Sequence, residues 1–521
     1  MNIGSTLTQA AAAHPDHIAV IHGDTRLSYR ALNERANRLA SQLRAQGIRP
    51  GDRVGILQRN GPELLESLFA TFKAGAAAVP INARSHPKEY AYILEDSGSR
   101  AIVFGEDFAA GLDTVRHTLP DLDLLIGIGA GTGWSMPYED LLADGDPANA
   151  DSDCAPHDLA WLFYTSGTTG KPKGAMNCHA NLQFMSDHYP REVYRLGPDD
   201  VVLHPGPLTH GSGLWSIPIT SGAGTHLIPT GTSFDPNEIF ELIEKHRVTK
   251  IAFIAPTMIT MLLNAPDIDR YDLSSLRFLG YGGAPMYVED LKRAIRQWGP
   301  ILCQVYGQGE SPMTVSLLTR EDHTLSGDPR TERRLASAGR VREDIELAIL
   351  DEADQPVKAG EIGEIAIRGD VVMRGYWNKP EATADVFKGG WYHTGDLGTR
   401  DADGYVFLLD RKKEMIISGG ANVYPRELEE VLLLHPGVLE VAVIGIPDRL
   451  WGESVMAVVR PRTGASPTEA ELLALCRDHL AGYKKPRFIR FQEDLPKNGY
   501  GKILKRELKQ TILAETPETA T

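Results

Sequence analysis

The run Tyr164-Thr-Ser-Gly-Thr-Thr-Gly-Lys-Pro-Lys-Gly174 packs three glycines, four serine or threonine hydroxyls and two lysines into eleven residues, directly after the strand-like Leu159–Phe163. Glycines let successive backbone N–H groups turn inward on an anion, and hydroxyls and ammonium groups add donors, so the composition suits a polyphosphate. It is not a Walker A loop, which needs GxxxxGK followed by Ser or Thr; here the spacing is GxxGK and Pro172 follows. Further along, Tyr306-Gly-Gln-Gly-Glu310 offers a ring for stacking and a carboxylate for a metal. Trp391-Tyr-His-Thr-Gly-Asp396 offers an acid able to accept from ribose hydroxyls. Asp410-Arg-Lys-Lys413 supplies cations, and Pro496-Lys-Asn-Gly-Tyr-Gly-Lys502 sets a lysine on a glycine-flanked loop. Each alone has a bland reading as turn or surface, but five in one chain point to a nucleotide site.

The elements that must hold these motifs alternate. Short apolar runs at Asp52–Leu57, Ala77–Ile81, Arg100–Phe104, Asp200–Leu203 and Lys250–Ile254 read as strands, and Tyr29–Leu43 places Leu32, Ala36, Leu39 and Leu43 at helical spacing. This predicts an α/β fold with largely parallel sheets covered by helices. Glu361–Arg368 alternates polar and apolar, as an antiparallel half-buried strand does. A smaller unit is expected after Asp410: a helix at Pro425–Leu434, strands at Leu439–Ile446 and Ser454–Arg460, a helix opened by the capping box Thr468-x-x-Glu471, and a strand at Arg487–Gln492. The short charged join at 410–414 suits a hinge. Gly127-x-Gly-x-Gly-x-Gly133 misses dinucleotide spacing and reads as a glycine-rich loop.

At 521 residues the chain exceeds one hydrophobic core. A formal net charge of −15 argues against broad binding to nucleic acid or anionic membranes. Four scattered cysteines show no metal-site spacing and read as reduced thiols. The N-terminus lacks a signal-peptide pattern and no apolar run reaches a membrane span, so no integral membrane association is expected and the cytoplasm is the expected compartment. A homodimer is compatible with all of this.

Together the motifs resemble the adenylate-forming superfamily, which includes acyl-CoA synthetases, peptide-synthetase adenylation domains and beetle luciferases; the branch this chain is most similar to is the carboxylate–CoA ligases. The resemblance runs from Leu27–Leu32 to Lys502–Leu508. It implies a large N-terminal domain over residues 1–410, of two α/β subdomains and a small β-barrel, and a mobile α+β C-terminal domain over 411–521. The implied reaction is ATP-dependent: a small carboxylic acid attacks the α-phosphorus, giving acyl-adenylate and pyrophosphate, and the thiol of coenzyme A then takes the acyl group. No protein base is needed, because the acid is already ionised; alignment and charge stabilisation are.

By this resemblance Lys502 bridges acyl carboxylate and α-phosphate, and Glu310 with Thr168 holds Mg²⁺. Thr165, Ser166, Gly167, Thr168, Thr169, Gly170 and Lys173 surround the β- and γ-phosphates. Gly283, Ala284, Pro285 and Tyr306, with Gly307, Gln308 and Gly309 following, enclose the adenine, and Asp396 with Arg411 takes the ribose. Lys413 is the hinge residue. Gly419, Gly420, Arg84, Trp451, Tyr483, Lys485 and Arg487 are the CoA-binding set, although the last five equally read as surface salt bridges or packing. Gly309 departs from the family, which has a threonine reaching the α-phosphate there. Either water takes the hydroxyl's place or adenylate binds less tightly, and on the first account restoring threonine is tolerated.

The acyl pocket is expected from His210, Gly211, Ser212, Gly213 and Trp215, and from Tyr281 and Gly282. His210 either gates it, as one of the catalytic residues, or is a structural histidine. Neither segment carries Asp, Glu, Arg or Lys, which disfavours amino acids and dicarboxylates. The small residues leave room, with Trp215 and Tyr281 as walls, so an uncharged medium-size aliphatic or aromatic acid is expected. The rivals are an adenylation enzyme loading a carrier protein in trans, a luciferase-like oxygenase, or a non-catalytic nucleotide-binding protein on the same fold. The last would be free to lose Lys502 or Glu310, and both are present.

Overall fold

The computed structural model describes residues 2–129, 132–165, 171–193, 195–284, 286–497 and 503–515. Among them four sheets form. The first runs in the order Met136–Pro137, Leu124–Ile128, Ala101–Gly105, Arg53–Leu57, Ala77–Pro80, Leu159–Thr165, Lys173–Cys178, parallel until its last, antiparallel pair. The second has nine strands. Its parallel centre, Leu302–Gln308, Phe278–Gly282, Lys250–Ile254, Val201–Leu203, Thr225–Ile228 and Ile18–His22, is flanked by antiparallel edges. Helices joining consecutive strands cover both sheets, as parallel topology requires.

A third, antiparallel sheet joins Glu346–Leu350, Gly363–Arg368, Trp391–Arg400, Phe387–Lys388 and Val406–Arg411. The fourth belongs to the C-terminal region, where Val438–Asp448 and Gly452–Pro461 form a long hairpin. Ile416–Ser418, itself paired with Ala421–Val423, meets the Gly452 end of the second hairpin strand, and Phe488–Phe491 runs parallel to that same strand further along. Helices Pro425–Leu432, Glu469–His479 and Lys505–Glu515 pack on it, and the box at Thr468 and Glu471 caps the second of them as the sequence signals. Among the described residues no helix is long and apolar enough to cross a membrane.

The largest core runs between the first two sheets and includes Phe69, Phe72, Trp161, Phe163, Trp215 and Phe278. The helix Pro62–Lys73 lies inside it, buried on nearly every face. Its charged residues are therefore paired: Glu66 accepts from Arg35 Nε at 2.7 Å and from Tyr138 OH at 2.6 Å, and Lys73 meets Asp151 at 3.0 Å. Deeper in the second sheet His204 and His226 lie stacked, with His204 Nε2 3.0 Å from His226 Nδ1, and Ser212 and Thr220 at the two ends of the chain.

Burial holds these histidines neutral. The His204 imidazole is pushed down to about 3, His179 and His323 to about 4, and His226 well below its usual range. Folded values below the unfolded value mean that the unfolded chain binds protons first, so stability is lost as pH falls through about 6.5 toward 4. Each buried histidine should remove roughly 1–2 kcal/mol between pH 6.5 and pH 5. Urea unfolding across that range should show the loss, and His179→Gln should shrink it; a flat stability profile contradicts the neutral assignment.

Candidate active site

The phosphate-type loop leaves and re-enters the first sheet through the antiparallel pair Leu159–Thr165 and Lys173–Cys178. Its base is fixed on both sides. Tyr164 OH donates to Asp96 Oδ2 at 2.9 Å, while Tyr92 OH (3.1 Å) and Lys379 Nζ (2.6 Å) engage the other oxygen. On the far side Met176 N–H donates to Gly375 O, and Trp377 N–H to Gly174 O. The Lys173 ammonium lies 5.0 Å above the Tyr376 ring. Residues 166–170, which carry Ser166, Gly167, Thr168, Thr169 and Gly170, lie outside the described residues.

Beyond that base opens a cleft of about 420 Å³, lined among others by Thr165, Lys173, Gln308, Glu310, Tyr376 and Arg411. Glu310 is 8% exposed; its Oε1 accepts from Thr165 Oγ1 and Tyr376 OH, each at 2.9 Å. Among the described residues Oε2 carries no hydrogen bond, so a hard carboxylate oxygen is left for the cleft beside Thr165, and such a group would fit a magnesium ion. Asp396 collects three strands. Tyr306 OH (2.6 Å) and Gln308 Nε2 (2.7 Å) donate to Oδ2, and Arg411 Nε meets Oδ1 at 2.6 Å. Tyr392 OH orients Gln308 at 2.8 Å. Burial and the neighbouring carboxylate push the Tyr306 phenol up, so it remains a donor.

On the acyl side the structure brings some expected residues together and turns one away. The strand Phe278–Gly282 alternates faces, so Phe278, Gly280 and Gly282 look toward Trp215 and Phe253. Tyr281 looks the opposite way, into the second core, where its OH pairs with His323 Nε2 at 2.9 Å. Tyr281 is therefore not a wall of the pocket. Two rings that sequence reading took for ordinary strand core stand there instead: Phe253, against Gly211, Gly282 and Gly283, and Phe163, 4.7 Å from the His210 ring. Burial holds His210 neutral, with its pKa down to about 4. Ser212 turns to His204. Gly213 and Gly282 give less room than expected, since a Cβ would fall 1.8 Å from Leu208 O and 2.3 Å from Val305 O respectively.

The expectation that threonine fits at 309 is corrected. A Cβ there would lie 2.4 Å from Phe163 Cδ1 and 2.7 Å from Thr165 Cγ2, so the space belongs to protein rather than to water.

The C-terminal unit presents one side to this cleft. Arg411 ends the strand Val406–Arg411, and Lys413 sits in the turn that follows, closed by Glu414 N–H to Arg411 O at 2.8 Å. Asp410 accepts from Arg411 N and Arg426 N, and burial raises its carboxyl to about 6. Lys502 lies outside the described residues, but its neighbours Lys497 and Ile503 line a second cleft of about 820 Å³ with Ala284, Met286 and Tyr287. Pro285 is also outside the described residues. Lys505 meets Glu429 at 2.8 Å, and Tyr287 OH reaches the same carboxylate at 3.4 Å.

Of the proposed CoA set, Gly419, Gly420, Trp451 and Arg487 sit together. Gly419 N–H donates to Trp451 O, the Trp451 ring covers Gly419, and Arg487 bonds Asp448, which also accepts from Trp451 N–H. Gly419 and Gly420 adopt φ of 60° and 78°, which favour glycine. This surface is exposed, as are Ile417, Leu450, Tyr483 and Lys485. Arg84 is exposed on the N-terminal part of the chain, and no described contact joins it to the group.

A buried carboxylate beside Thr165 at the base of the lysine-bearing glycine loop, and a tyrosine fixed by Asp396, suit a nucleotide-using α/β enzyme. The chain belongs to the AMP-binding enzymes: residues 7–377 match the AMP-binding enzyme family and 427–502 the AMP-binding enzyme C-terminal domain. It is an acid–thiol ligase of the AMP-forming kind, within the adenylate-forming superfamily. It is 39% identical over 511 residues to a feruloyl-CoA synthase of Amycolatopsis sp, covering 98% of each chain, and 35% identical over 520 residues to the indoleacetate–CoA ligase of Aromatoleum aromaticum, covering 99% of each. An anthranilate CoA ligase solved with anthranoyl-AMP superposes with a TM-score of 0.90 at 27% identity, over 99% of this chain and 98% of that one.

The Asp396 assembly makes a prediction independent of turnover. Because Tyr306 donates to a buried carboxylate, Tyr306→Phe and Asp396→Ala should be non-additive in unfolding free energy by about 1–2 kcal/mol. Denaturant unfolding of the two single variants and the double variant measures the term; strict additivity would show that the contact carries no energy.

Proposed function

We propose that this chain joins an uncharged aryl carboxylic acid to coenzyme A in two steps, through an acyl-adenylate, with release of AMP and pyrophosphate. The carrying observation is the acyl side of the cleft. Phe163, Trp215 and Phe253 stand with a neutral His210 against glycine backbone, and no described residue among these wall and glycine positions is charged. Flat rings and bare backbone make a slot suited to a planar aryl group. The feruloyl, indoleacetate and anthranilate relatives support the same choice.

In this reading the loop 165–170 and Lys173 hold the β- and γ-phosphates. Tyr306, fixed by Asp396, stacks on the adenine beside Gly283–Pro285, and Asp396 with Arg411 takes the ribose. Glu310, with Thr168, holds Mg²⁺, which when bound neutralises phosphate charge. Lys502 stabilises the charge that grows on the α-phosphate as the acid attacks. The position of Lys497 and Ile503 beside Ala284 supports its approach from the adenine side. The domain boundary lies at Asp410, with Lys413 as the pivot. Rotation there withdraws Lys502 and brings Gly419 and Gly420 toward the adenylate, with Trp451 and Arg487 beside the CoA nucleotide.

Product analysis tests the reaction class: ATP should yield AMP and pyrophosphate with an aryl acid and Mg²⁺ present, and an acyl-CoA should form when CoA is added. Acid-dependent ADP and phosphate would sink it, and acyl-AMP turnover that needs a carrier protein instead of CoA would move the thiol assignment. Lys502→Ala should slow adenylation by roughly 10²–10³ while leaving conversion of supplied acyl-adenylate to thioester nearly intact. Equal damage to both steps would make Lys502 merely structural. Lys413→Pro, which locks φ in the hinge turn, should preserve one half-reaction and cut the other by more than ~10²-fold; normal acyl-CoA formation by a folded proline variant removes the pivot.

A further inference from the structure

Along Leu159–Thr165 the side chains alternate, placing Trp161, Phe163 and Thr165 on one face and Leu162 and Tyr164 on the other. Thr165 on the first face reaches Glu310, so the Phe163 ring stands one step back from the phosphate end of the cleft, on the same side. That ring has two close neighbours. A Cβ at residue 309 would lie 2.4 Å from its Cδ1 and 2.9 Å from its Cε1, and the His210 ring packs on it with centroids 4.7 Å apart. The backbone at 309 is fixed as well, because Gly309 O accepts from the buried Asn177 amide at 3.0 Å. Gly309 does not lie in the left-handed region, so space rather than conformation demands glycine.

We propose that Phe163 and Gly309 form one specificity element: the glycine admits the ring, and the ring face selects acids that are flat and unbranched at the carbon next to the carboxylate. This deepens the aryl-acid reading above and rests on it. An acid whose carboxylate reaches the region of Thr165 and Glu310, with its body between His210 and Phe253, must lay its α- and β-carbons along Phe163. A conjugated carbon pair presents a face that packs on a ring, whereas a methyl group on a tetrahedral α-carbon stands out of the plane of the chain and meets it. A side chain at 309 would displace the Phe163 ring and disturb the same passage.

The test compares cinnamate with 2-methyl-3-phenylpropanoate, whose α-carbon is tetrahedral and branched, read as kcat/KM for pyrophosphate release. The ratio is internal to each variant, so a partly unfolded preparation does not distort it. The wild type should favour cinnamate by about 30-fold, within the range for one misplaced methyl group. Phe163→Ala and Phe163→Leu should each shrink that ratio by about tenfold or more, chiefly by accepting the branched acid. Gly309→Ala and Gly309→Thr should lower activity by roughly 10–100-fold, as overpacking does. Phe163→Ala combined with Gly309→Thr should recover most of that loss. An unchanged acid ratio in both Phe163 variants overturns the proposal, as does a folded Gly309→Thr with wild-type activity or a double variant no better than Gly309→Thr. If the wild type activates octanoate and no aryl acid, the aryl reading fails. The pair is then decided by the same variants on octanoate and 2-methyloctanoate, with the same outcomes counting for and against it.

Discussion

The Asp396 carboxylate, 7% exposed, is where the second sheet, the small antiparallel sheet and the approach to the C-terminal unit meet. Tyr306 and Gln308 come from the strand Leu302–Gln308, Asp396 from Trp391–Arg400, and Arg411 from the end of Val406–Arg411. A carboxylate so enclosed needs its donors, and hydrogen bonds to it are stronger than neutral ones. Each of the three elements is therefore located by the same two oxygens. The position of Arg411 relative to the tyrosine ring, and of the chain that continues into 412–415, follows from that one contact set. Glu310 does the equivalent for the loop side, joining Thr165 to Tyr376.

The cleft beside Glu310 is lined largely by polar and charged side chains, and the proposed acyl side is aromatic. The change is made by glycine. Gly280, Gly282, Gly211 and Gly309 each sit where a Cβ would strike a ring or a carbonyl. Bare backbone lets large rings approach the strands closely, so ring faces and peptide groups share the wall. Such a surface is stiff, since rings have few rotamers and the packed backbone cannot yield.

Much of this was legible in the residues. Strand, loop and helix signals placed the lysine loop after a strand, and the Thr468 to Glu471 box marked a helix start that the structure keeps. The charged and hydroxylic members of the cleft were legible because burying such groups demands a reason. The aromatic members were not. Phe278–Gly282 is buried throughout, so its sequence shows no polar alternation to say which face is which, and Tyr281 could be assigned to the wrong side. Phe163 and Phe253 sit in apolar runs where any ring reads as core. The partner of Gly309 lies far away in sequence, and nothing local reveals that its missing side chain is replaced by Phe163. The anchoring of Tyr164 on Asp96 is equally remote, and was found only in space.

Ile417, Leu450 and Trp451 remain wet near Gly419 on the C-terminal unit. Apolar surface left in water is a standing bias toward any arrangement that hides it. At about 25 cal/mol per Å², covering roughly 100 Å² lowers the free energy by about 2–3 kcal/mol. The polar contacts seen here between the unit and the rest of the chain, such as Tyr287 with Glu429, act on a similar scale. A balance of that size is within reach of a ligand's binding preference, should the unit take a second placement. If the unit pivots as proposed, the exposed patch biases its orientation toward arrangements that cover it, and Trp451, lying in that patch, would report the change by its fluorescence.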